Sequence, residues 1–176
     1  MKPLIFLLFC CTAGTLIAVT PPNFLSARTP QSDFCHVTRP NGIVPGSSQR
    51  NEGSFGNALL SVGPFGLWPD GTVVFKPGGA GFQTKEGALG MKFGWTRGIR
   101  GKINVTGHRI DAAAPPLRFE TNQMNDANST GFQASFLIFS TPGCWEVTAQ
   151  IGDREESKIT FVTRVEKIAD GPSWRQ

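Results

Sequence analysis

From residue 56 onward eight short apolar runs alternate with turn signals. The runs are 58–62, 72–76, 89–96, 102–106, 117–120, 132–139, 145–151 and 158–166. Between them lie Pro69-Asp70-Gly71, Pro77-Gly78-Gly79, Arg97-Gly98-Ile99-Arg100-Gly101, 111–116, Pro142-Gly143 and Gly152-Asp153. Short strands at this spacing predict an all-β, immunoglobulin-like antiparallel sandwich of seven to nine strands. No segment sustains a helical period, and no internal repeat is present. With 21 Gly and 13 Pro in 176 residues, long helices, bundles and coiled coils are excluded. Fourteen Phe and four Trp supply the bulk of one core, leaving little room for a second catalytic domain.

Alternation assigns faces, because successive side chains on a strand point to opposite sides. Leu89, Met91, Phe93 and Trp95 share one face, with Gly90, Lys92 and Gly94 on the other. Ile103 and Val105 point inward, as do Trp145, Val147, Ala149 and Ile151, and Ile159, Phe161 and Val165. The run 132–139 is apolar at nearly every position, which predicts a central strand buried on both faces.

The N-terminus carries an address. Lys2 precedes an apolar stretch from Leu4 to Val19, 16 residues long. A spanning helix needs roughly 20, so residues 1–20 read as an export signal. An uncleaved anchor is the alternative, and the only membrane contact expected. Ala13, Ala18 and Ala27 all offer cleavage points; the bulky Leu8 and Phe9 argue against lipidation at Cys10 or Cys11. Residues 21–53 are an irregular arm, 54–167 the sandwich, and 168–176 a tail. Beyond the signal only Cys35 and Cys144 remain. In an oxidising compartment two cysteines most simply form one disulfide; two free thiols are the alternative. Cys144 adjoins Trp145, so it faces away from the core if Trp145 faces in. The bridge then staples the arm onto the start of a strand.

The string Thr141-Pro-Gly-Cys-Trp-Glu-Val-Thr, followed by Gly152-Asp153 and Thr160-Phe-Val-Thr-Arg-Val, resembles the C-terminal strand pair of a family of uncharacterised secreted bacterial proteins. Leu67-Trp-Pro-Asp-Gly-Thr-Val, Met91-Lys-Phe-Gly-Trp-Thr-Arg-Gly, Pro115-Pro-Leu-Arg and Cys35-His-Val-Thr-Arg-Pro-Asn-Gly are similar to it as well. The resemblance spans roughly residues 35–167. It implies an immunoglobulin-like sandwich in a periplasmic, envelope or extracellular setting and supports the Cys35–Cys144 bridge. It implies no catalytic activity.

Constellations for chemistry are sparse. A hydrolase triad needs a histidine with a nucleophile and a carboxylate, and only His36 and His108 exist, with no Gly-x-Ser-x-Gly elbow. Cys35, His36, His108 and Cys144 have zinc-type chemistry but no compact zinc spacing. Glu120, Glu146 and Asp153 are the acids that a glycoside hydrolase reading would use. Pro77-Gly-Gly-Ala-Gly lacks the Lys-Ser/Thr of a phosphate loop. Asn104-Val-Thr and Asn128-Ser-Thr fit the glycosylation pattern, which matters only in a eukaryotic host. No cofactor or metal is expected.

Charge is uneven. Residues 85–118 hold Lys85, Lys92, Arg97, Arg100, Lys102, Arg109 and Arg118 against Glu86 and Asp111. If the strands around the Arg97–Gly101 turn pair as a hairpin, Trp95, Arg97, Arg100, Lys102 and Arg118 form a basic strip. Such a strip attracts an anionic glycan, lipid headgroups or an acidic protein surface; the alternative is a solvated face that guards a sheet edge. The chain as a whole is only +4, which argues against nucleic acid. The expected function is a non-enzymatic exported binding or structural module. A small carbohydrate-active or other hydrolytic enzyme is the first alternative, a partner domain of a larger envelope assembly the second.

Overall fold

The computed structural model describes residues 35–63, 70–76, 78–121 and 128–168. The expected export signal, the arm before Cys35 and the tail after Ile168 lie outside the described residues. Ten strands are described: β1 (Phe55–Gly56), β2 (Leu60–Val62), β3 (Thr72–Phe75), β4 (Phe82–Gln83), β5 (Leu89–Arg97), β6 (Ile103–Arg109), β7 (Arg118–Glu120), β8 (Gly131–Phe139), β9 (Gly143–Ile151) and β10 (Arg154–Lys167). Each of the eight apolar runs holds one strand. β1 and β4, two residues each, carry no run of their own.

The strands form two sheets that pack as an all-β sandwich. One runs β1-β2-β5-β8-β7, with β4 also on β5, and the other β3-β10-β9-β6. Every described pair is antiparallel except β3 with β10, which run parallel with Arg164 opposite Thr72. The inward faces interdigitate as alternation predicts. Leu89, Met91, Phe93 and Trp95 of β5 meet Trp145, Val147, Ala149 and Ile151 of β9 and Ile159, Phe161 and Val165 of β10 in one core. Phe139 stands edge-on to Trp145 with ring centroids 5.5 Å apart.

Two expectations are corrected. β8 lies between β5 and β7, and only its last three residues, Leu137, Ile138 and Phe139, are buried in succession. At its start Phe132 is 62% exposed, because the pairing with β7 ends at Phe136. Its inner face also carries Gln133 and Ser135, both buried. The second correction concerns β5 and β6, which do not form a hairpin. They enter different sheets, so residues 98–102 cross from one sheet to the other. The crossing is closed by its own groups: Arg97 Nη1 donates to Gly101 O at 2.7 Å, and Gly152 N to Lys102 O at 2.8 Å. Gly101 has φ 148°, and a Cβ there would collide with Ile151 Cγ2.

The disulfide joins Cys35 to Cys144, with Cα atoms 5.6 Å apart. Cys144 faces away from Trp145 and is covered by the arm. From Cys35 the arm reaches the side of β10, where Thr38 N donates to Val162 O and Val162 N to Thr38 Oγ1, both at 2.9 Å. It then reaches the first sheet. Asn41 Nδ2 donates to Gly56 O, and Asn41 Oδ1 accepts from Gly56 N. The arm therefore ties the two sheets together along one side.

Candidate functional site

The five residues of the expected basic strip are not brought together. Trp95 is fully buried, its Nε1 donating to Ser135 Oγ at 2.7 Å and its ring set edge-on to Phe119. Arg97 is 4% exposed and spends its guanidinium on Gly101 O and Ser129 Oγ. Both follow from β5 turning its odd positions to the core. Arg100 and Lys102 are exposed on the crossing. Arg118 is exposed near the opposite end: Arg97 lies opposite Gly131 and Arg118 opposite Ile138, which seven strand residues separate by about 23 Å.

The acids of the hydrolase reading also stay apart. Glu120 projects from the outer face of the first sheet, Glu146 from that of the second, and Asp153 sits in the β9–β10 turn. The Cys35 and Cys144 sulfurs are joined to each other and are not thiolate ligands. Among the described residues no three His, Cys, Asp or Glu side chains converge as a metal site.

A groove of about 310 Å³ opens on the outer face of the first sheet, around Arg118. Its floor is Ile138, 2% exposed, flanked by Ala88. One wall is the turn between β4 and β5. That turn is locked by Thr84 N to Ala88 O (2.8 Å), Gly87 N to Thr84 O (2.9 Å) and Gln83 Nε2 to Gly87 O (3.0 Å). It presents Glu86, whose carboxyl is held below its ordinary range by the Thr84 hydroxyl and, more weakly, by the Arg118 charge. The other wall is Pro115, Pro116 and Arg118. Ser140 Oγ donates to Pro115 O at 3.0 Å, and Leu117 N to Gly107 O at 3.0 Å, so this wall is pinned to the β8–β9 turn and to β6.

The end of the groove is fixed by the β8–β9 turn. Thr141 Oγ1 accepts from Arg109 Nη1 at 3.2 Å, and Thr141 O accepts from Trp145 Nε1 at 3.0 Å. Arg109 is in turn paired with Asp111 at 2.6 Å, which holds the Asp111 carboxyl below its ordinary range. Gly143, at φ 145°, lies against the Arg109 guanidinium, where a Cβ would collide. The core tryptophan and the Arg109–Asp111 pair thus hold Ser140 and Thr141 in place.

Of the groove residues only Arg118 was singled out as a site by sequence; Pro115, Pro116 and Thr141 entered through the resemblance as strand-and-turn pattern. Glu86, Ala88, Ile138, Ser140 and Thr141 carry no site signal. They come from different turns and strands, and only the fold makes them neighbours. A scan of family models, a search of curated proteins and a search of solved structures each found no match to the chain.

Proposed function

We propose that this protein is an exported, non-enzymatic binding module that holds a segment of a partner polypeptide in the groove. The observation that carries this reading is Arg118. Its guanidinium is exposed, engages no hydrogen bond or ion pair among the described residues, and stands beside an apolar floor. Sites of this size typically combine apolar walls with a few polar groups that orient the ligand. The resemblance to secreted bacterial sandwich proteins and the Cys35–Cys144 bridge support export. A polyanion is less well served. The exposed cations Lys85, Lys92 and Arg118 are interleaved with Glu86 and Glu120, and Arg100 and Lys102 lie on the crossing at the other end.

The test compares binding to an array of short peptides with pelleting on cell-wall polymer and anionic vesicles. Wild type should label a subset of peptides, an Arg118→Ala variant several-fold less, and pelleting should stay at background. Salt-sensitive pelleting that Arg118→Ala leaves intact would overturn the reading, as would array labelling indifferent to Arg118.

A further inference from the structure

We propose that the groove selects an extended segment in which an acidic and a basic residue, four positions apart, flank a central apolar residue. This rests on reading the groove as a polypeptide site. The rims carry opposite charges that feel each other but are not joined in an ion pair. The described ion pairs are Arg109–Asp111, Lys158–Glu155 and Arg164–Glu166, so neither Glu86 nor Arg118 is in one. The Thr84 hydroxyl and the Arg118 charge favour the ionised form of Glu86. Between the two rims lies the apolar floor of Ile138 and Ala88.

This arrangement discriminates by charge pattern. A polyanion meets Glu86, and a polycation meets Arg118. A neutral chain seated on Ile138 withdraws water from both charges and returns nothing. A ligand bearing one charge of each sign satisfies both rims.

The strand geometry sets the spacing. Arg118, Ile138 and Gly90 lie abreast on β7, β8 and β5, so β7 and β5, whose leading turn carries Glu86, run about 10 Å apart. An extended segment covers about 13 Å from residue i to i+4, with i, i+2 and i+4 on one face. The side chain at i+2 then rests on Ile138, and the long side chains at i and i+4 lean inward to the rims. Addition of the segment as an extra strand on β7 is disfavoured, because Pro115 and Pro116 stand directly before that short edge.

The experiment titrates the isotope-labelled protein with three blocked peptides, Ac-Glu-Ala-Leu-Ala-Lys-NH2, Ac-Lys-Ala-Leu-Ala-Glu-NH2 and Ac-Gln-Ala-Leu-Ala-Gln-NH2. One charged peptide should bind about fivefold more tightly than the neutral one, as two exposed ion pairs allow. It should shift the amides of Ala88, Arg118 and Ile138, and lose its advantage at high salt. The double variant Glu86→Arg/Arg118→Glu should exchange the preference between the two charged peptides. Arg118→Gln, which removes a single exposed charge, should bring the favoured peptide down towards the neutral one. Equal binding of all three peptides at those amides would overturn the charge selection and leave the polypeptide site standing. If no peptide moves those amides, both readings fall.

Discussion

At the scale of single residues, β5 and β8 show how little a residue type says about its place. Arg97 was expected at the surface, yet its guanidinium lies inside, hydrogen-bonded to Gly101 O and Ser129 Oγ. Removing it should destabilise the fold by about 2–3 kcal/mol, from the loss of hydrogen bonds to a charged group. Arg100, exposed on the crossing, should be neutral to stability within about 0.5 kcal/mol. Urea denaturation of Arg97→Ala beside Arg100→Ala checks both. Gln133 presents the opposite case. Its amide is buried, and among the described residues neither its nitrogen nor its oxygen makes a hydrogen bond. A buried amide without partners is disfavoured by about 1–3 kcal/mol, so Gln133→Leu should raise the urea midpoint. A lower midpoint would show that the amide is engaged.

At the scale of elements, turns decide more than strands. The apolar runs locate every strand of three residues or more, since half-buried strands must alternate. The register of the turns lies in side-chain hydrogen bonds that no run predicts. The β8–β9 turn is held through Arg109 and Asp111, and the sign of its pH response follows from Asp111. Its carboxyl titrates below its ordinary range chiefly because Arg109 hydrogen-bonds it. A group depressed in the folded state contributes stability above its unfolded pKa, about 3.9 for Asp, and loses it as pH falls through the folded value. Asp111→Asn should therefore be less stable than wild type at pH 7, and the difference should shrink as pH falls below the ordinary aspartate range and through the depressed folded value. Thermal melting of both proteins across this range measures it. A difference that persisted in acid would mean that the ion pair is not its source.

At the scale of the whole molecule, the arm is part of the domain. Cys35, Thr38 and Asn41 join it to both sheets along one side. The bridge spans 109 residues of sequence. A loop of that size corresponds to about 4–5 kcal/mol in the chain-entropy view, and native bridges of small secreted domains contribute about 2–5. Cys35→Ser/Cys144→Ser should lose stability in that range in non-reducing buffer, and wild type should fall to match it when reduced. An unchanged melting temperature would show that the Thr38–Val162 and Asn41–Gly56 pairs hold the arm by themselves.

The residues alone determined the sandwich class, the positions of the eight longer described strands, the inward faces of β5, β9 and β10, and the direction of Cys144. Each depends on a local property: period-two alternation, a turn residue, or the opposition of neighbouring side chains. Which sheet each strand joins was left to the tertiary structure. An alternating strand shows which side seeks the core without naming its neighbours, and the chain could return from Arg97 as a hairpin or cross to the other sheet. It crosses, with Arg97 closing the connection from inside. That one choice dissolved the expected basic strip. The groove was decided the same way: Glu86, Ile138 and Arg118 are far apart in sequence, and the packing of β4, β5, β7 and β8 makes them three sides of one surface.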